Sequence, residues 1–170
     1  PQHPDCAVCP LNAHCAAYAA GRVADFPVKQ HKMKTRNRYF HYFYIQYKGT
    51  TWITRRGKKD IWEGLYEFPL IETERPMDFA ELQQTAAFRR LFDGAGDLSV
   101  SVDLSDVKHV LSHQVLYAAF YRVEIAKENR ALRGFLRIPV SDIDRYAVPR
   151  LIHLYLERLE RGETKEEGAV

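Results

Sequence analysis

Three thiols fall within the segment CAVCPLNAHC, spaced Cys6-x2-Cys9-x5-Cys15. Thiolates this close in sequence converge on a metal ion or a cluster, and an intracellular chain has little use for them as structural disulfides. An isolated C-x2-C more often serves zinc or redox chemistry, and three cysteines leave a tetrahedral site one ligand short. A second candidate lies in VKHVLSHQVLYAAFY, residues 107–121, where two apolar runs pause at Ser112 and His113. A serine oxygen can accept a hydrogen bond, so a loop between two strands could hold it against a ligand; the same pair could instead cap backbone groups at the strand junction. A nucleophilic Ser-His pair fits poorly, because adjacent residues on a strand point to opposite faces and nothing around Ser112 resembles a nucleophile elbow.

The third chemical feature is charge. The net charge is +3, yet between Asp25 and Asp60 there are ten Lys and Arg residues and no acid, so the rest of the chain carries −7. A positive block on an otherwise acidic chain favours contact with a polyanion, whose condensed counterions are released when its phosphates are neutralised. A solvated basic linker is the plainer alternative. At 170 residues and 46% hydrophobic content the chain suits one domain with appendages. No apolar run reaches the length of a membrane span and the N-terminus lacks the order of a secretory signal, so a soluble, intracellular (cytoplasmic) protein is expected. The start on Pro1-Gln2-His3 rather than Met suggests part of a longer polypeptide, or processing.

The elements that must position these residues follow from periodicity. Residues 1–18 hold the cysteines, and 19–38 read as a polar, basic connector. YFHYFYIQY is aromatic on both alternating faces, which predicts a strand covered on both sides, and a turn at Lys48-Gly49 leads into TTWITRR to complete a hairpin. Trp52, Trp62 and the aromatic run are expected to be core rather than a base-stacking platform. IWEGLYEFPL predicts a loop and a short strand ending at Pro69. Asp78 and Glu81 have capping-box spacing for a helix through about Phe92, stopped by Gly94. Its apolar face drifts from Phe79, Leu82 and Ala86 to Phe88, Leu91 and Phe92, which predicts a kink or burial on two sides. Strands are expected near 98–102, 107–111 and 115–125, a short turn at Ser141, and a final helix from Pro149 with Ile152, Tyr155, Leu156 and Leu159 as its stripe. Residues 161–170 read as a frayed tail. The sum is an α+β domain: a mixed β-sheet with helices on its faces.

Taken in chain order these landmarks resemble one family. Cys6-x2-Cys9-x5-Cys15 is similar to the last three ligands of the [4Fe–4S] loop of helix-hairpin-helix DNA glycosylases, whose full spacing is C-x6-C-x2-C-x5-C; the first ligand would fall two positions before Pro1. ADFPVKQHKMKTRNRYF, WEGLYEFP, KHVLSH and YAVPRLIHLYLE resemble landmarks of the MutY-type adenine DNA glycosylases, which excise adenine opposite 8-oxoguanine, and the resemblance runs over nearly the whole chain. It implies the end of the cluster loop (1–18), the interdomain connector (19–38), a MutT/Nudix-like lesion-recognition domain (39–160) and a disordered tail (161–170). The catalytic helix-hairpin-helix domain would lie upstream, so the fragment alone is expected neither to cut adenine from DNA nor to hold the cluster well with three of its four ligands.

A Nudix-like fold raises a rival class, the nucleotide pyrophosphohydrolases. These hold Mg²⁺ with the carboxylates of G-x5-E-x7-R-E-U-x-E-E-x-G-U, where U is a large aliphatic residue. Here Pro69-Leu70-Ile71 stands where two glycines usually follow the proline, and Arg89-Arg90 stands where paired glutamates are required, so hydrolase activity is not expected; Glu67, Glu72, Glu74 and Glu81 are left as surface and capping carboxylates. Leu111-Ser112-His113 resembles the family's Phe-Ser-His lesion-recognition loop, with Leu111 keeping apolar bulk but not the ring. 8-Oxoguanine carries a hydrogen on N7 where guanine offers a bare acceptor, so an oxygen such as that of Ser112 can tell them apart. His113 would contact a phosphate or order the loop. Phosphate contacts are expected among Lys29, Lys32, Lys34, Arg36, Arg38, Arg55, Arg56, Lys58 and Lys59. The implied partners are double-stranded DNA with 8-oxoguanine:adenine mispairs and the upstream catalytic domain; the alternative is a protein-interaction module whose connector docks a repair or replication protein.

Overall fold

The computed structural model describes residues 4–27 and 35–163. The chain divides into two units, Pro1–Lys34 and Thr35–Val170. The first consists of turns and one short helix: 3-10 turns at Asn12–His14 and Val23–Asp25 flank α1 (Ala16–Ala19). Nothing in it is buried among the described residues, as expected of a segment with too few apolar side chains to order a core of its own.

The second unit is built on β1 (Arg36–Tyr47), whose aromatic residues alternate between two cores. Lys48 and Gly49 both have positive φ, 48° and 73°, the signature of a two-residue turn whose twist matches the strands it joins, and β2 (Thr50–Arg55) folds back with Tyr47 opposite Thr50. The expected short strand is present before Pro69, and a further one follows the proline. β3 (Tyr66–Glu67) pairs with β2 and β4 (Leu70–Thr73) pairs with β1. Pro69 separates them because it has no N–H to give a ladder, while its carbonyl accepts from Phe43 N–H at 2.9 Å.

The expected helix after Asp78 is likewise divided, into α2 (Phe79–Gln83) and α3 (Ala86–Phe92). Asp78 caps α2 by accepting from Glu81 N–H at 2.8 Å, but Glu81 pairs with Arg75 rather than closing a capping box. Thr85 restarts the chain: its Oγ1 accepts from Phe88 N–H at 3.1 Å and donates to the Leu82 carbonyl at 2.7 Å. The break resolves the drifting apolar pattern, since Leu82, Phe88 and Phe92 all end up buried against the sheet.

The two strands expected at 98–102 and 107–111 are one bulged strand, β5 (Leu98–Val110), with register shifts on either side of Leu104. It runs antiparallel to β6 (Gln114–Ile125), which lies parallel to β1 from Arg36↔Gln114 to Gln46↔Glu124. A 3-10 turn at Ala131–Gly134 leads to β7 (Leu136–Pro139) on β2, an element absent from the sequence reading because only Ile138 of its four residues is buried. A second 3-10 turn at Val140–Arg145 precedes α4 (Arg150–Glu160). The result is the expected mixed sheet, in the order β3-β2-β1-β6-β5 with β4 on β1 and β7 on β2.

Helices cover both faces. Phe40, Tyr42 and Tyr44 pack with Leu116, Ala118 and Phe120 against Leu151, Ile152 and Tyr155 of α4. Phe43 and Ile45 pack with Tyr121 and Val123 against Leu82, Phe88 and Phe92 of α2 and α3. The bulge in β5 turns Asp103 into the α4 side, where it is 1% exposed and accepts from Tyr155 Oη at 2.7 Å, Arg122 at 3.0 Å and Ser101 at 3.1 Å. A buried carboxylate needs this set of donors, and the three bonds tie β5, β6 and α4 together. Among the described residues no helix is long and apolar enough to cross a membrane.

His41 is buried on the opposite face, its Nδ1 3.1 Å from Tyr121 Oη and its Nε2 3.2 Å from Thr73 Oγ1. Burial pushes its pKa down to about 4. A base whose folded pKa lies below its unfolded value near 6.5 contributes stability that is complete above 6.5 and lost as pH falls toward 4. Chemical denaturation from pH 7 to pH 4 should therefore show a loss of up to about 3 kcal/mol that His41→Gln removes; a wild-type profile as flat as that of the variant over this range would contradict it.

Candidate nucleic-acid interface

Leu111 to Gln114 form the tip of the β5–β6 hairpin. Leu111 N–H donates to the Gln114 carbonyl at 2.8 Å, and Arg36 N–H donates to the His113 carbonyl at 3.2 Å, so backbone bonds close the tip and help fasten it to the start of β1. The side chains of Ser112 and His113 are exposed, while Leu111 packs into the aromatic core under α4. Leucine thus keeps an anchoring role here: it holds the tip down from inside and leaves the hydroxyl and imidazole outside. Trp62 borders the same region, its ring 5.9 Å from that of His109.

Beneath the tip sits a network of charges. Arg38, 7% exposed, lies over the Phe40 ring at 4.8 Å and spans three elements. Its guanidinium donates to both oxygens of Asp60 (2.5 and 3.0 Å), to both oxygens of Glu72 on β4 (2.7 and 2.6 Å), and to Gln114 Oε1 at the base of the tip (3.2 Å). Arg56 lies beside it, bonded to Asp60, to Glu67 and to the Ile61 carbonyl. Glu67 also accepts from Tyr42 Oη. The hydrogen bond from Arg38 holds the Asp60 carboxyl down to about 2. Burial pushes the Glu67 carboxyl up in spite of the arginine against it.

This network corrects two sequence expectations. Arg38 and Arg56 are buried and committed to carboxylates, so they are not free to meet phosphate; their side chains instead fix the elements that carry the exposed cations. Of the others, Arg36 is exposed and only 4.0 Å from Glu72, Lys58 and Lys59 are exposed on the loop that ends in Asp60, and Arg55 is exposed with its Nε donating to the Gly64 carbonyl at 3.0 Å. Lys29, Lys32 and Lys34 lie outside the described residues. The structural roles of Asp60, Glu72 and Gln114 escaped the sequence reading, because hydrogen-bond pairing between residues 22 to 76 positions apart leaves no local pattern.

The remaining chemical candidates are dispersed. Glu67 and Glu72 are held by Arg56 and Arg38, Glu81 by Arg75, and Arg89 and Arg90 are exposed on α3. Cys6, Cys9 and Cys15 are free thiols in the first unit. Among the described residues no three His, Cys, Asp or Glu side chains are gathered so as to hold a metal ion.

Comparison with known proteins supplies the context. Residues 41–158 match a family model described as NUDIX domain. An adenine DNA glycosylase from Buchnera aphidicola subsp. Schizaphis graminum is 31% identical over 74 residues, a match that takes in 44% of this chain and 21% of that protein. The chain thus corresponds to about a fifth of the length of that relative. Among solved structures, a Nudix hydrolase from M. smegmatis, RenU, superposes with a TM-score of 0.51 over 78% of this chain and 88% of its own at 10% identity, a likeness of fold.

The network predicts a specific fragility. Arg38→Met strands Glu72 and leaves Asp60 to Arg56 alone; both carboxylates are partly exposed and can be rehydrated, so the cost should be about 2 kcal/mol, between that of a surface pair and a buried one. Arg36→Met, at an exposed position, should cost less than about 0.5 kcal/mol. Equal effects in urea denaturation would show that the network does not hold the domain together.

Proposed function

The chain belongs to the NUDIX domain family, with a domain of the kind found at the C-terminus of MutY-type adenine DNA glycosylases, and on that premise we propose that it is the lesion-reading part of such an enzyme. The intact protein removes adenine mispaired with 8-oxoguanine or guanine, and this chain supplies recognition of the oxidised base and contacts to duplex DNA. The acid and base that break the glycosidic bond belong to a helix-hairpin-helix domain preceding it. In that protein Cys6, Cys9 and Cys15 are three of the four ligands of a [4Fe–4S] cluster, and the connector, with Lys29, Lys32 and Lys34, follows the DNA backbone.

One observation carries this reading. The exposed Ser112–His113 tip, exposed Arg36 and the exposed Lys58–Lys59 loop are brought to one end of the sheet by a single buried guanidinium, that of Arg38. An acceptor flanked by cations is what reading a base edge between two phosphate backbones needs. Ser112 Oγ accepts the N7 hydrogen of 8-oxoguanine, a bond that guanine, with no hydrogen on N7, cannot donate. His113 meets a neighbouring phosphate or orders the tip. Arg36, Arg55, Lys58 and Lys59 supply contacts that position the duplex without reading it.

In the intact glycosylase Ser112→Ala should lower the ratio of kcat/KM for adenine opposite 8-oxoguanine to that for adenine opposite guanine by about 5- to 150-fold, the equivalent of one base contact of about 1–3 kcal/mol. An unchanged ratio would refute the assignment. The same reading predicts that this chain releases no pyrophosphate from 8-oxo-dGTP with Mg²⁺, because Arg89 and Arg90 occupy the helix where the hydrolases place ion-binding glutamates; magnesium-dependent turnover that scales with enzyme would contradict it.

A further inference from the structure

The sheet face that carries α2 and α3 is not covered along its whole length. The parallel register of β1 and β6 sets Tyr39 beside Tyr117, with ring centroids 5.3 Å apart and planes 17° from parallel. Among the described residues Phe79, the first residue of α2, is the only helical residue beside them in the cleft, and Ser105 and Asp106 of the bulged β5 line it too. What remains is a cleft of about 690 Å³ floored by Tyr39, Tyr117 and Tyr121 and walled by Met77, Phe79 and Val102. A volume between roughly 300 and 1,000 Å³ is that of a ligand site.

Its charge is the opposite of that at the hairpin tip. Asp78 and Asp106 line it, both exposed, and no Lys or Arg does among the described residues. Asp78 uses one oxygen on Glu81 N–H. The one basic group in the lining, His41, is buried with both ring nitrogens engaged and is neutral near pH 7. The negative potential reaches the floor: burial, then Asp106 and Asp78, push the Tyr121 hydroxyl up to about 12. A phosphate-bearing ligand would be repelled.

We propose that this cleft is a docking site for an arginine side chain presented by a protein partner. Tyrosine faces and free carboxylate oxygens together fit a planar, weakly hydrated guanidinium, which stacks and forms paired hydrogen bonds where a compact, strongly hydrated ammonium does neither as well. The cleft is far larger than a guanidinium, so the arginine's flanking backbone is accommodated with it, which favours a polypeptide over a free small cation. Tyr117 lies three residues along β6 from Gln114 at the base of the tip, so a partner docked here sits beside the proposed DNA-reading edge without competing for phosphates. The assignment does not depend on the lesion-reading role, and its test uses no DNA.

The test is a titration of the isotopically labelled chain, followed by amide NMR, with the capped peptides acetyl-Gly-Arg-Gly-amide and acetyl-Gly-Lys-Gly-amide and with dGMP. The arginine peptide should shift the amides of Tyr39, Phe79, Asp106 and Tyr117 saturably and bind about fivefold or more tighter than the lysine peptide; dGMP should leave them unmoved. Asp106→Asn should weaken the arginine peptide about threefold or more. Asp106 has a φ of 54°, a conformation asparagine tolerates, so this variant keeps the fold. No saturable shift at these amides, equal binding of the lysine peptide, saturable binding of dGMP in the cleft, or unchanged affinity in Asp106→Asn would each overturn the proposal.

Discussion

The end of the domain that meets its surroundings depends on one guanidinium. Arg38 projects from near the start of β1 and, within the reach of a single side chain, holds Asp60, Glu72 and Gln114, which belong to the β2–β3 loop, to β4 and to β6. A buried charge is tolerated only when its donors are met by well-placed acceptors, and here the carboxylates that satisfy Arg38 are also the means by which separate segments are kept in place. Arg56 repeats the device one step further in, with Asp60 shared between the two. Both cations lie within 6 Å of the Phe40 ring, at 4.8 and 5.7 Å, so the ionic layer rests directly on the aromatic core. Loop, strand ends and hairpin tip therefore form one surface, with exposed cations and an exposed Ser-His pair carried on a buried ionic base.

The two faces of the sheet divide the work. Under α4, Tyr155 stacks on Phe120 at 4.4 Å and reaches Asp103, so that layer is closed and its buried carboxylate is satisfied. On the other face α2 and α3 cover the middle of the sheet and stop short of its end, leaving the tyrosine floor open between two aspartates. Under the two proposals, a basic tip and an acidic, aromatic cleft would let the domain hold a polyanion and a cationic partner at once, because each surface repels the other's ligand.

Much of this was legible in the sequence. Aromatic residues on both alternating faces of 39–47 can be satisfied only by a strand buried on two sides, and Lys48-Gly49 supplied the turn. The drift of the apolar face between Phe79 and Phe92 correctly indicated a helix that could not run straight, although the N-cap at Thr85 that breaks it looked like an ordinary helix residue. The position of Ser112-His113 at a hairpin tip followed from the pause between two apolar runs. What could not be read was the partnership of charges. Arg38 and Arg56 sit in a basic block and look like their neighbours Arg36 and Lys58, and only the fold shows that Asp60, Glu67 and Glu72 withdraw them from the surface. β7 was missed because a four-residue strand with one buried side chain carries no periodicity.

The central claim is that the Ser112–His113 tip distinguishes 8-oxoguanine from guanine while Arg36, Lys58 and Lys59 hold the duplex. Amide NMR of the labelled chain with two duplexes that differ only in 8-oxoguanine or guanine opposite adenine measures this most directly. The account predicts that both duplexes shift Arg36, Lys58 and Lys59 alike and that only the lesion adds large shifts at Ser112 and His113. Identical shifts at the tip with either duplex, or none there with both, would contradict it.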